Sequence, residues 1–230
     1  MIHENKDDFL KALKQTSAQT GFILPLIEKD YYLTLALSRL QELSPDLIFK
    51  GGTCLNKVYY SYYRLSEDLD FSMRLPEGKV TKSVRSRCMK PVKEKMGEFA
   101  AQLGMKLDTT ESPGRNESRQ YVFYLIYPSA VLPQEARIKF EVGLRFNPFC
   151  PVEKHKVQHK FTHPFTGEPL FDGGEVSCLG LKELVAEKLR AAAIRKTIAP
   201  RDFYDLDFIV RKEFDLTDPE VLELFRKKLA

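Results

Sequence analysis

The sequence predicts an α/β (α+β) fold in which helices flank a mixed β-sheet, with a more helical C-terminal part. Three features lead to this prediction. Residues 46–72 combine an apolar run, a glycine turn, a helical segment and a second short strand. Residues 137–146 alternate apolar and polar side chains, which is typical of a half-buried strand. Residues 179–198 repeat apolar side chains at helical spacing.

Two helices are predicted before the first strand. Residues 4–16 place apolar side chains on one face, and residues 26–43 repeat them at helical spacing. Acidic side chains in a first helical turn commonly serve the helix dipole and solubility. We therefore expect Glu28 and Asp30 to have that role at the start of the second helix.

A paired-glycine turn follows the first predicted strand, residues 46–50. Gly51 and Gly52 let the backbone turn sharply and approach a ligand closely. Thr53 is suited to cap the N-terminus of a helix that reaches about Tyr63. Free N–H groups at a helix N-terminus favour phosphate oxygens, so this turn is a candidate phosphate site. Taken alone, a Gly-Gly pair is most often only a turn.

Two carboxylates lie on the next predicted strand, residues 68–72. Side chains alternate along a strand, so Asp68 and Asp70 are expected on one face. Beside a phosphate-binding turn, they are suited to hold Mg²⁺ or Mn²⁺ against a nucleoside triphosphate (NTP). A lone Asp-x-Asp is usually a solvated edge, and the metal interpretation depends on its combination with the turn.

The segment 79–104 is predicted to be a long helix, which Pro91 kinks or splits. Its first half is strongly basic. A solvated charged face and a contact surface for RNA phosphates explain this charge about equally well. The candidate RNA-binding residues are Lys82, Arg85, Arg87, Lys90 and Lys93.

The strongest strand signal lies at residues 137–146, after a buried strand at 121–127. Glu141 stands in the middle of its polar face, where it suits a cross-strand partner for Lys139 or Arg145. The alternation assigns two faces. The core face is predicted to hold Ile138, Phe140, Val142, Leu144 and Phe146, and the polar face Arg137, Lys139, Glu141 and Arg145.

The helix predicted at residues 179–198 carries Lys188 on its apolar stripe. A lysine there usually extends to solvent. The alternative is that Lys188 reaches into a cleft and contacts a triphosphate. The outward charges of this helix are predicted to be Lys182, Glu183, Glu187 and Arg190.

Another helix is predicted to begin at Pro200. Asp202 and Asp205 share one face of it, where two acids in a first turn could simply stabilise the helix dipole. The core side is predicted to be formed by Phe203, Leu206 and Val210.

The composition excludes several classes of protein. With 43% hydrophobic and 30% charged residues, the 230-residue chain is typical of a soluble globular protein. It lacks an 18-residue apolar run, so we expect no membrane contact. The N-terminus is polar and the four cysteines are far apart, which favours a cytoplasmic protein with reduced thiols. A net charge of +4 permits a nucleic-acid partner without requiring one.

Two groups of motifs resemble a known family. Gly-Gly-Thr at residues 51–53, followed by Arg-x-Ser-x-Asp-Leu-Asp-Phe at 64–71, resembles the signature of the AbiEii-type nucleotidyltransferase toxins. That family belongs to the DNA polymerase β-like nucleotidyltransferase superfamily. Glu-Lys-Leu-Arg-Ala at 187–191 and Arg-Asp-x-Tyr-Asp-Leu at 201–206 are similar to its second pair of motifs. The resemblance covers roughly residues 27–210, although threonine stands where many superfamily members carry serine.

The resemblance implies a set of site residues. Metal ligands would be Asp68, Asp70 and Glu141, with Glu141 as the third carboxylate. Nucleotide ligands would be Gly51, Gly52, Thr53, Arg64, Ser66 and Lys188. The catalytic residues would be Asp68, Asp70, Lys188 and Asp202, with Asp205 as an open alternative to Asp202.

It also implies a function and partners. The chain would move an NMP from an NTP to RNA, such as a tRNA 3′ end, as the toxin of a toxin–antitoxin or phage-defence pair. Its antitoxin would be a DNA-binding regulator. Residues 1–150 would form the nucleotidyltransferase core, and residues 151–230 a mainly helical part completing the cleft. The alternatives are a non-catalytic nucleotide- or RNA-binding protein, or transfer to a protein or small molecule.

Overall fold

A computed structural model describes residues 1–163 and 165–229 and confirms the α/β class. The strands are β1 (Leu47–Lys50), β2 (Asp68–Met73), β3 (Lys106–Leu107), β4 (Gly114–Arg115), β5 (Gln120–Tyr127), β6 (Ala136–Gly143), β7 (Glu153–Lys156) and β8 (Glu175–Cys178). The helices are α1 (Lys6–Thr20), α2 (Leu24–Ser38), α3 (Leu40–Leu43), α4 (Gly51–Cys54), α5 (Lys82–Cys88), α6 (Lys90–Gln102), α7 (Leu181–Ile194), α8 (Pro200–Arg211) and α9 (Pro219–Leu229).

The strands form one mixed sheet in the order β3-β5-β6-β2-β1-β8-β7, with β4 also paired to β5. Strand β2 lies at its centre, antiparallel to β1 and parallel to β6. The register places Lys50 opposite Asp70, and Asp70 opposite Glu141. Because paired residues on neighbouring strands point to the same face, these three side chains form one row across the sheet.

The two faces of the sheet differ in character. One is apolar and packs in the core, where Phe71 and Phe140 stack with ring centroids 4.5 Å apart. Helix α2 covers this face, and its Tyr32 stacks on Tyr127 at 4.1 Å. The opposite face carries the row that contains Asp70. The alternation in β6 therefore separates a buried core from a polar surface, as the sequence predicts.

Two strands beyond residue 150 complete this sheet. Strand β8 pairs in parallel with β1, Phe49 lying opposite Cys178, and β7 follows β8 at the edge. Helices α7, α8 and α9 form the remainder of the C-terminal part. The predicted boundary at residue 150 stays a prediction, and the sheet itself extends across it.

Several predicted helices have different bounds in the structure. The segment 26–43 is interrupted at Arg39, and 79–104 begins only at Lys82 and divides at Met89, just before Pro91. The prediction of a regular helix that reaches Tyr63 is wrong. The helix begins at Gly51 and continues as a π-helical turn over Leu55–Tyr59.

The role predicted for Glu28 and Asp30 is wrong, because both side chains are fully buried. Glu28 accepts hydrogen bonds of 2.5 Å from the hydroxyl of Ser129 and from the backbone N–H of Ala130. Asp30 lies 2.7 Å from the ammonium of Lys57, which is also buried. Each acid thus has a buried partner, which a charge pattern in one helix does not reveal.

None of the helices in the described part of the chain is long and apolar enough to cross a membrane.

The buried ion pair gives a prediction about stability. Lys57→Ala leaves the carboxylate of Asp30 buried without its cation, and removing one partner of a buried pair typically costs about 3–5 kcal/mol. We expect the urea midpoint of unfolding to fall accordingly. Lys11→Ala is the matched control, because Lys11 pairs with Asp8 at the exposed surface. The control should lose less than about 1 kcal/mol of the free energy of unfolding. Equal losses in the two variants would contradict the prediction.

Candidate active site

A cleft of about 380 Å³ opens on the polar face of the sheet. Strands β1, β2 and β6 form its floor, and α7 and the start of α8 form the opposite wall. Among the predicted site residues it brings together Gly51, Gly52, Arg64, Ser66, Asp68, Asp70, Glu141, Lys188 and Asp202. Apart from Glu141, these residues fall into two groups more than a hundred positions apart in the sequence, and the fold joins them.

The glycine turn closes tightly around neighbouring functional groups. Gly51 has a left-handed φ of 78°, and a Cβ atom added there would lie 2.5 Å from the Asp70 carboxylate. A Cβ atom on Gly52 would lie 2.7 Å from the Arg64 guanidinium and 3.1 Å from the hydroxyl of Ser66. Both positions therefore require glycine, one for its backbone angle and contacts and the other for space alone.

Thr53 has a different position from the one predicted. It lies inside α4, and Lys50 precedes the helix as its cap residue. The Thr53 side chain is fully buried, and its hydroxyl donates a hydrogen bond of 2.5 Å to the backbone carbonyl of Asp68. The prediction of an N-cap is wrong, and the hydroxyl instead ties the glycine turn to β2.

The acids of the cleft floor repel each other. Burial, followed by the charge of Glu141, raises the pKa of Asp70 to about 6, and Asp68 adds to the effect. Lys50 and Lys139 oppose it. The raised pKa of Asp70 therefore reflects burial first and the neighbouring acids second.

Glu141 is held by side chains of its own sheet. The ammonium of Lys139 lies 2.5 Å from one carboxylate oxygen, and Gln120 donates a hydrogen bond of 2.6 Å to the other. Burial works against ionisation, but Lys139 brings the pKa of Glu141 below its ordinary value. Glu141 therefore pairs with Lys139, one of the two partners that the pattern indicates, and also lies in the row with Lys50 and Asp70.

Lys188 points into the cleft, where two buried acids hold it. Its ammonium lies 2.9 Å from Asp202 and 2.6 Å from Asp205. Arg64 donates two hydrogen bonds, of 2.5 and 2.7 Å, to the two carboxylate oxygens of Asp205. Asp202 lines the cleft, whereas Asp205 lies behind it and connects Arg64 to Lys188.

The predicted core side of α8 is wrong for two of its three residues. Leu206 packs against the core, but Phe203 and Val210 are about half exposed. Asp202, Asp205 and Ile209 are buried instead. The acidic face is turned inward because Arg64 and Lys188 neutralise it there. Burial opposes this arrangement, but the bond from Arg64 and the charge of Lys188 lower the pKa of Asp205.

A second charged cluster reaches the cleft from α9, which the sequence does not reveal. Lys228 lies 2.8 Å from Glu183 and 2.9 Å from Glu187, and Glu187 lies 3.4 Å from Lys50. The prediction that Glu183 points outward is wrong, since it is buried. Acids spaced by four on an amphipathic helix look solvated in the sequence, because their partners lie on other elements.

Cationic residues around the cleft are also missing from the sequence prediction. The arginines that line it are Arg64, Arg119, Arg145, Arg190, Arg195 and Arg201, and only Arg64 belongs to the predicted site. The sequence patterns place Arg145 on a polar strand face and Arg190 on an outward helix face, whereas the others come from loops and helix ends without a periodic pattern. The prediction that Glu187 and Arg190 point outward is wrong, since both line the cleft.

The basic segment of α5 and α6 does not form one surface. Arg85 is buried, and its guanidinium donates hydrogen bonds of 2.9 and 3.0 Å to the carbonyls of Val80 and Glu117. Lys93 lies over the ring of Tyr121, which points to the sheet face opposite Glu141. Lys82, Arg87 and Lys90 are exposed. Arg85 is therefore a structural residue. The arginines that line the cleft, here called the cationic rim, are the positive residues that lie with the acids of its floor.

Comparisons with known proteins agree with this geometry. A family model described as the nucleotidyl transferase AbiEii toxin of a type IV toxin–antitoxin (TA) system matches residues 35–230. The nucleotidyltransferase toxin MenT4 from Mycobacterium tuberculosis is similar in structure, with a TM-score of 0.63 and 22% identity over 93% of this chain and 68% of that one. No curated protein sequence gave a significant match.

Two Helicobacter pylori structures share the fold less closely. One is described as a putative nucleotidyltransferase, with a TM-score of 0.54 and 18% identity over 90% of this chain and 78% of that one. The other is JHP933, with a TM-score of 0.52 and 17% identity over 84% and 70% of the respective chains. At such identities the likeness establishes a common fold.

The raised pKa of Asp70 predicts a stabilising substitution. The folded pKa of about 6 exceeds the ordinary value of 3.8, so ionisation costs stability as pH rises from about 4 to 6. Asp70→Asn should therefore raise the free energy of unfolding of the metal-free protein by roughly 1–3 kcal/mol above pH 6. Its advantage should vanish below about pH 4, where both states are protonated. Urea unfolding at pH 4 and 7.5 measures this.

The control is Asp46→Asn at an exposed position, which should change stability by less than about 0.5 kcal/mol at both pH values. An Asp70→Asn protein no more stable than wild type at pH 7.5 would show that the cleft already neutralises this carboxylate.

Proposed function

Since this chain belongs to the AbiEii family of nucleotidyltransferase toxins of type IV toxin–antitoxin systems, we propose that it transfers an NMP from an NTP to the 3′ end of an RNA, such as a tRNA, with a divalent metal ion. One observation carries this proposal. The glycine turn, the acids of β2 and the pair formed by Lys188 and Asp202 line the same cleft, although they come from distant segments.

The turn and its neighbours would bind the β- and γ-phosphates. Gly51 and Gly52 bring backbone to the cleft surface, and Arg64 and Ser66 lie directly against Gly52. Backbone N–H groups, a hydroxyl and a guanidinium are all donors that suit phosphate oxygens. Thr53 would act indirectly, by fixing the turn against β2.

The acids fit a divalent metal that is shared with the substrate. In the described residues, no three or more His, Cys, Asp or Glu side chains are placed to hold a metal together. Mg²⁺ is commonly bound by one or two carboxylates together with substrate phosphates, and Asp68, Asp70 and Glu141 all line this part of the cleft. Asp68 and Asp70 would hold it, with Glu141 beside them. When bound, the metal supplies charge neutralisation at the α-phosphate and the leaving pyrophosphate.

Lys188 would contact the triphosphate from the opposite wall. Asp202 and Asp205 hold its ammonium at the cleft surface, which limits the entropy lost when substrate binds. Asp202, which lines the cleft, would orient Lys188 or the acceptor, and Asp205 would position both Arg64 and Lys188 from behind.

The cationic rim supports an RNA acceptor. Arg119, Arg145, Arg190, Arg195 and Arg201 line a cleft whose floor is acidic, so an acceptor backbone would be attracted at the rim. Exposed Lys82, Arg87 and Lys90 would extend this attraction.

The family implies an antitoxin as partner. We propose that it is a DNA-binding regulator, that the pair acts in phage defence, and that the protein acts in the cytoplasm.

Substitutions in the cleft test the proposed reaction. Wild-type protein incubated with each labelled NTP, Mg²⁺ and total RNA should transfer label to RNA and release pyrophosphate. Asp70→Ala and Lys188→Ala should each lower the rate at least about 100-fold, because each removes charge stabilisation of the transition state. If label appears in neither RNA nor protein, the proposal that this protein is a nucleotidyltransferase is contradicted. If label appears on protein, the acceptor is a protein and not RNA.

The same assay separates the two late acids. Asp202→Ala should abolish transfer if that residue acts at the cleft surface, while Asp205→Asn should also lower thermal stability because Arg64 loses its buried partner. Full activity in Asp202→Ala and none in a folded Asp205→Asn would reverse the assignment.

Salt dependence tests the acceptor surface. Arg201→Glu should weaken RNA binding and reduce the slope of log K against log salt by about one, as expected for one lost phosphate contact. The matched control, Lys82→Glu, makes the same type of change on α5 and should have a smaller effect. A larger effect of Lys82→Glu would indicate that the basic segment of α5 and α6, and not the arginines of the cleft, is the main RNA-binding surface.

A further inference from the structure

An exposed phenylalanine lines the otherwise polar cleft. The alternation along residues 137–146 predicts that Phe146 points into the core, and that prediction is wrong. Strand β6 ends at Gly143, so the alternation stops applying there. The Phe146 side chain is 43% exposed and forms part of the cleft wall.

The loop that carries Phe146 is anchored on both sides. Asn147 exchanges hydrogen bonds of 2.8 and 2.9 Å with the backbone of Leu75. The buried carboxylate of Glu183 accepts hydrogen bonds of 2.9–3.1 Å from the backbone N–H groups of Phe149 and Cys150. These bonds fix the backbone around Phe146, and its ring lies against that of Phe149, with the centroids 6.0 Å apart.

The cleft has an order along its length. Strand β2 runs from Asp68, next to the glycine turn, to Ser72, which lies opposite Gly143 on β6. Phe146 follows Gly143 by three residues, and the neighbouring Asn147 bonds to Leu75 beyond the end of β2. Phe146 therefore lies past the three acids, at the end of the cleft away from the glycine turn. Phosphate donors, metal-binding acids and an aromatic ring thus follow one another, which matches the order of triphosphate and base in an NTP.

We propose that Phe146 is the stacking surface for the nucleobase of the bound NTP. The proposal rests on the function proposed above and assigns the part of the cleft that the phosphate and metal residues leave free. Aromatic stacking accepts every base because each has a π-face. Phe146 would accordingly contribute affinity for the nucleoside and little discrimination among bases.

A comparison of two ligands tests this role. Wild-type protein should bind both α,β-methylene-ATP, which cannot undergo transfer, and inorganic tripolyphosphate in the presence of Mg²⁺. Phe146→Ala should weaken binding of the ATP analogue by about 5- to 100-fold, the range found for lost base stacking. Binding of tripolyphosphate should not change, and Phe146→Tyr should retain the affinity of wild type for the analogue. Isothermal calorimetry measures both ligands.

Phe165→Ala is the matched control. Phe165 is 92% exposed and does not line the cleft, so this change should leave both affinities unaltered. Equal weakening of both ligands by Phe146→Ala would show that the ring only shapes the cleft, and no weakening of the analogue would exclude stacking. An effect confined to the KM for acceptor RNA would assign the ring to the acceptor and overturn the proposal.

The binding measurements separate failure of the proposed function from failure of the stacking role of Phe146. Wild-type protein that binds neither ligand would contradict the proposed function and this inference together. Wild-type protein that binds both, with Phe146→Ala unchanged, would contradict the stacking role alone.

Discussion

The salt bridges of Asp205 hold the two halves of the cleft together. One cation, Arg64, comes from the segment after the glycine turn, and the other, Lys188, comes from α7. Asp205 itself is fully buried, and the two cations together offset the cost of burying its carboxylate. The position of Lys188, the inward face of α8 and the side chain packed against Gly52 all depend on this one acid.

The cleft has two kinds of buried charge. Asp205 and Lys228 are matched by opposite charges at hydrogen-bond distance, which makes them rigid supports. For Asp70, burial and then the charge of Glu141 raise the pKa. A site that binds a cation and a polyanion together, as we propose, cannot neutralise all of its charges in advance, so its ligand-binding acids would be the less stable ones.

The strands and the two motif groups could be predicted because they depend on local signals. Alternation identified β6, and glycine spacing with the acids identified the turn and β2. The faces of α2, α7 and α8 could not be predicted, since Asp30, Glu183 and Asp202 find their partners on distant elements. Phe146 was missed for a related reason, because alternation does not indicate where a strand ends.

The pairing of β1 with β8 has a consequence for how the molecule is made. Phe49 lies opposite Cys178, which follows it by 129 residues in the chain. At translation rates of about 5–20 residues per second, β1 is synthesised roughly 6 to 26 s before Cys178 of β8. During that interval its edge is unpaired, and the glycine turn that directly follows it lacks the far wall of the cleft. The glycine turn is therefore among the first parts of the cleft to be synthesised and among the last to be enclosed.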